Sequence, residues 1–98
     1  MKRFGLARRA LLDLQGIWDY IADDSVVAAD RVITDLHRAF RQLAQMPGIG
    51  HKRRDLTIRG VLFWPVHSYL VIYTDATPIS IVRVIHASRD VRKLLTRG

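Results

Sequence analysis

Near the middle of this chain the spacing of apolar residues changes from the three-and-four steps of an amphipathic helix to the alternation of β-strands. Between Ala7 and Ala22 the positions Ala10, Leu11, Leu14, Ile17, Trp18 and Ile21 form one stripe, with Arg9, Asp13, Gln15 and Asp19 mostly on the other face. Asp23-Asp24-Ser25 then offers capping side chains, Ser25 being the best candidate N-cap. A second stripe follows in Ala29, Val32, Ile33, Leu36, Phe40 and Leu43, and stops near Met46-Pro47-Gly48. A connection this short brings the two stripes together only if the helices run antiparallel, so residues 7–46 are predicted to form a helical hairpin.

Pro47-Gly48-Ile49-Gly50 and His51-Lys52-Arg53-Arg54-Asp55 read as a basic loop without periodicity. Beyond it Arg59 to Trp64, His67 to Thr74 and Ile79 to His86 are rich in β-branched and aromatic residues, separated by Pro65 and by Asp75-Ala76-Thr77-Pro78. Gaps this short imply an antiparallel meander. Lys2 to Leu6 supplies a further candidate strand, and Arg89 to Thr96 a short closing helix with Val91, Leu94 and Leu95 as its apolar face. The predicted order is β-α-α-β-β-β with a short C-terminal helix. This is an α+β fold and a single domain spanning 1–98, its hairpin covering an antiparallel sheet made largely of residues 59–86.

The chain has 98 residues, 49% of them hydrophobic and 26% charged, which suits one globular core. No run approaches the roughly 18 apolar residues of a membrane span. Asp13 and Asp19 interrupt the apolar stretch that follows the basic start, and no small-residue cleavage site appears, so the chain reads as cytoplasmic. There is no cysteine, and His37, His51, His67 and His86 lack the spacing of zinc motifs; neither a metal nor a cofactor is expected. The net charge of +7 is uneven. Residues 1–50 carry seven Lys/Arg against six Asp, whereas residues 51–98 carry nine against three. The basic second half suits an acidic partner, either nucleic acid or an acidic protein segment, although a solvated basic face has the same composition. Most of the cations are arginine, which binds phosphate and carboxylate bidentately.

Five segments, in this order, resemble toxins of the ParE/RelE superfamily, and most of all its ParE branch. They are L-A-R-R-A-x-x-D-L-x-x-I-W-x-Y-I-A (Leu6 to Ala22), F-x-x-L-A-x-x-P-x-x-G (Phe40 to Gly50), R-x-D-L (Arg53 to Leu56), Y-L-V-I-Y (Tyr69 to Tyr73) and R-V-I-H-x-S-R-D (Arg83 to Asp90). Singly they are weak; together they cover nearly the whole chain. The resemblance implies the RelE-like fold, a toxin role in a type II toxin–antitoxin system, a ParD-like antitoxin as partner, and DNA gyrase as target.

The RelE branch implies a different activity, ribosome-dependent mRNA cleavage. That chemistry needs a base for the ribose 2′-hydroxyl, cations at the scissile phosphate and an acid for the leaving oxygen. Arg59, Arg83, His86 and Arg89 are the candidates, with His86 as the natural acid/base. In an uninterrupted strand, however, Arg83 falls with Ile81 and Ile85 while His86 falls with Val82 and Val84, on opposite faces; a bulge before His86 would reunite them. On the ParE reading there are no catalytic residues. Arg89, Arg92, Lys93 and Arg97 then meet the target, and Arg53, Arg54, Arg59 and Arg83 meet the antitoxin. A third reading is a binding module without toxicity. Trp18, Phe40, Tyr69 and Tyr73 read as core or hairpin residues.

Overall fold

The computed structural model describes residues 3–52 and 60–89. Strand β1 (Phe4–Leu6) leads into helices α1 (Arg8–Ala22) and α2 (Val26–Gln45), a short 3-10 turn (Pro47–Ile49), and strands β2 (Val61–Val66), β3 (Tyr69–Thr74) and β4 (Ile79–His86). Ser25 caps α2 by accepting from the Ala28 N–H at 3.1 Å, satisfying one of the unpaired donors of a helix start. The expected closing helix over Arg89 to Thr96 lies, beyond Arg89, outside the described residues. Among those described, no helix is long and apolar enough to cross a membrane.

The three later strands form the expected antiparallel meander, but the sheet as a whole is mixed. Its order is β1-β4-β3-β2, with β1 parallel to β4. Strand β2 runs through Pro65 to Val66 rather than ending at Trp64. Proline is tolerated there because β2 is an edge strand and needs no N–H on its open side. His67 leaves the strand in which it was expected. It is the first residue of the two-residue turn between Val66 and Tyr69, at φ 53°, and its Nε2 lies 2.7 Å from Asp35 Oδ2 of α2. The outer edge of β2 is partly closed by a backbone bridge between His51 and Phe63.

The helical hairpin covers one face of this sheet. Leu14, Ile17, Leu36, Phe40 and Leu43 pack against Leu62, Val71, Tyr73, Ile79, Ile81 and Val84. Phe63, Ile72 and Ile85 form a smaller cluster with the opposite alternation. Two members of the first predicted stripe sit differently. Leu11 is 52% exposed, and Trp18 is half-buried, its Nε1–H donating to Asp30 Oδ1 at 2.9 Å.

Tyr73 joins the sheet to the loop that follows α2. Its buried hydroxyl donates to the Pro47 carbonyl at 2.6 Å and accepts from the Gly50 N–H at 3.0 Å. Gly50 is required by that approach, because a Cβ there would collide with the Tyr73 hydroxyl. Burial raises the Tyr73 pKa, with the Gly50 hydrogen bond opposing and nearby Asp75 adding to the effect. The unfolded phenol therefore ionises first as pH rises. The stability that Tyr73 contributes is complete below about pH 10, its ordinary value, and is lost as pH climbs through the raised one. Tyr73→Phe is expected to cost about 1–3 kcal/mol by leaving two backbone groups unpartnered. Urea unfolding at neutral pH and above pH 10 checks both effects: the loss should appear at neutral pH and shrink in alkali.

Candidate functional site

The helix face of β4 departs from simple alternation. Ile72 of β3 pairs with Arg83 but Tyr73 pairs with Ile81, so Val82 is an extra residue on β4, a β-bulge. As a result Ile81 shares the helix-facing side with Val84, not with Ile85. The bulge precedes Arg83 and does not separate it from His86, so it does not reunite the two as a catalytic pair would need.

Each of the two has its own partner. Strand β1 ends at Leu6, and Ala7 N–H makes the last backbone bond to β4, at the Ile81 carbonyl (2.9 Å). Past that point Asp13 of α1 takes over the edge. Its Oδ2 accepts from the Val84 backbone N–H at 2.9 Å and from Arg83 Nε at 2.8 Å, and its Oδ1 accepts from Arg83 Nη2 at 3.1 Å. The side chains are 11% (Arg83) and 15% (Asp13) exposed. The hydrogen bond to Asp13 raises the Arg83 pKa against the opposing effect of burial. Asp13, expected on the polar face, lies three residues after Ala10 and four before Ile17, both buried, and that spacing places it at the margin of the apolar stripe.

His86 closes β4. Its ring lies edge-on to Tyr69 at 5.5 Å, the Ser88 backbone N–H donates to Nδ1 at 3.1 Å, and Ser88 Oγ is 2.7 Å from the same nitrogen. With Nδ1 accepting, a neutral ring carries its proton on Nε2. Arg89 follows, exposed, its N–H bonded to the His86 carbonyl at 3.0 Å. The remaining candidates, Arg53, Arg54, Arg59, Arg92, Lys93 and Arg97, lie outside the described residues.

Between α1 and the end of the β3–β4 hairpin runs an open groove of about 800 Å³. Leu12, Gly16 and Tyr20, one turn apart along α1, form one wall with Ile17; Tyr69, Val84 and Ile85 form the other, and His67, His86 and Arg89 also line it. Leu12 and Tyr20 are 55% and 78% exposed, so this wall leaves apolar surface in contact with water. Burial first, and the neighbouring Tyr20 second, raise the Tyr69 pKa. Sequence periodicity missed this groove, because Leu12 and Tyr20 lie off the stripe that packs the core. Their spacing of eight with Gly16 between is the signal that would have found it.

Comparison with known proteins agrees with this architecture. Residues 5–91 match the family model described as the ParE toxin of the type II toxin–antitoxin system, parDE. The chain is 31% identical over 93 residues to Toxin ParE1 of Caulobacter vibrioides, covering 94% of this chain and 96% of the relative. Its fold resembles that of a chain from the chromosomal ParDE TA system from P. aeruginosa, with a TM-score of 0.72 and 21% identity, covering 88% of this chain and 96% of that one. The chain therefore belongs to the ParE toxin family of type II toxin–antitoxin systems.

Proposed function

We propose that this ParE-family toxin acts on DNA gyrase by binding, without chemistry of its own, and that a ParD-like antitoxin silences it by laying a segment into the groove between α1 and β4. The observation that carries the reading is the internal pairing of Arg83. Its guanidinium is bound by Asp13 through Nε and Nη2, so its charge is already paired with a carboxylate and its bidentate Nε/Nη2 edge is not open to a scissile phosphate beside His86. Arg83 serves the antitoxin only indirectly, by holding β4 against α1. Arg53, Arg54 and Arg59 are proposed to meet the antitoxin's acidic groups. Arg89, Arg92, Lys93 and Arg97 are proposed to meet gyrase or its DNA.

The test is induction of the toxin without antitoxin, alongside gyrase supercoiling and reconstituted translation with purified protein. Supercoiling should fail and cleaved DNA accumulate while translation proceeds. His86→Ala should stay folded and toxic, since a general acid typically supplies about 10²–10⁴-fold and its removal would disarm a ribonuclease. Replacing Arg89, Arg92 and Lys93 together by Ala should abolish growth arrest while costing no more than about 0.5 kcal/mol per site. Halted translation with intact supercoiling, or a harmless but folded His86→Ala beside a lethal triple variant, would assign the toxin to mRNA cleavage on the ribosome instead.

A further inference from the structure

We propose that His51 stacked on Trp64, with Lys52 beside it, is a docking platform for an unpaired nucleotide of a single-stranded nucleic acid. The two rings are nearly parallel, 13° apart with centroids at 5.9 Å. His51 and Lys52 are exposed, and Trp64 is half-buried beneath the imidazole. With one face against the indole, the imidazole presents its other face as a flat aromatic surface at the edge of the sheet.

That surface is held unusually firmly for a loop. The His51 N–H donates to the Phe63 carbonyl and the Phe63 N–H to the His51 carbonyl, both at 2.8 Å. The preceding residue, Gly50, is tied through its N–H to the Tyr73 hydroxyl, which in turn holds Pro47. A merely solvated loop has no need of anchors at one exposed residue and at the residue before it. A binding surface does, because a group fixed in advance loses less entropy when its partner arrives.

Base faces are what such a surface recognises. Stacking on an aromatic side chain is tolerant of sequence and is open only to bases outside a duplex, where stacked neighbours do not already cover them. Lys52, the next residue and exposed, offers a point charge for an adjoining phosphate, and Arg53 and Arg54 follow it in the sequence. Stacking on a base face does not depend on the sugar, so DNA and RNA share the recognised chemistry.

The experiment is fluorescence anisotropy of the full chain with labelled single-stranded DNA and RNA of about 12 nucleotides, within the range one binding module spans, and with the matching DNA duplex. Unpaired strands should bind more tightly than the duplex, and a strong preference for one sugar would name the biological source. His51→Ala should weaken binding roughly tenfold, and His51→Phe should restore it. Lys52→Ala should reduce the slope of log affinity against log salt by about 1. In a Trp18→Phe background the remaining fluorescence is that of Trp64, and an unpaired strand should quench it. Equal binding of duplex and single strand, an unchanged affinity in a folded His51→Ala, or no quenching of Trp64 overturns the proposal. Reduced killing by His51→Ala without any oligonucleotide binding would assign the platform to a protein partner and overturn it too. Neither gyrase nor antitoxin is present in the binding assay, so its outcome is independent of the gyrase reading.

Discussion

Asp13→Ala is expected to destabilise the fold by about 3–5 kcal/mol, a large share of the roughly 5–15 kcal/mol that holds a domain of this kind together. The substitution strands two groups at once: the Arg83 guanidinium, only 11% exposed, and the Val84 N–H. The cost arises from leaving a charge and a backbone donor out of water without partners, and exceeds what the ion pair contributes over an apolar pair of the same shape. A double-mutant cycle separates the two quantities. Arg83→Met alone should also be strongly destabilising, whereas Asp13→Ala with Arg83→Met should cost clearly less than the sum. Chemical denaturation of the four proteins measures it. A loss below about 1 kcal/mol for Asp13→Ala would show that water replaces the carboxylate, and that the β4 edge does not depend on α1.

The second large effect is expected at Leu36. This side chain is fully buried at the contact of α2 with the sheet, in the same cluster as Phe40, Leu43, Val71 and Tyr73. Truncating it removes its transfer free energy and leaves a cavity that rigid neighbours only partly fill. Leu36→Ala should therefore cost about 2–5 kcal/mol in denaturant melts. Val27→Ala, at a site 71% exposed on the same helix, serves as the control and should change stability by no more than about 0.5 kcal/mol. Comparable losses at the two positions would mean that the buried face of α2 has been assigned to the wrong side.

Both predictions bear on function through the same geometry. The groove exists because α1 is fixed at a set distance from β4, and two things fix it: the packing of Ala10, Leu14 and Ile17 of α1 in the core they share with Leu36 and Val84, and the Asp13–Arg83 bond. On the proposed reading, loosening either should weaken antitoxin capture along with stability, whereas a charge change at the exposed Arg89 should leave stability intact.

The hairpin, the capping by Ser25, the antiparallel meander and the limits of β4 at Ile79 and His86 could all be read from the sequence. Each depends on residues a few positions apart, where period and propensity act directly. The resemblance to ParE toxins was legible for the same reason, as an ordered set of short local patterns. The parallel seat of β1 against β4, the bulge at Val82, the inward turn of Asp13 and the groove walled by Leu12 and Tyr20 were decided by the tertiary structure. Asp13 and Arg83 are 70 positions apart, and nothing local marks them as partners. A charged residue on the edge of an apolar stripe reads as solvated until the fold supplies its counterion. A single extra strand residue reverses the facing of every side chain beyond it, because strand period is two and admits no gradual correction.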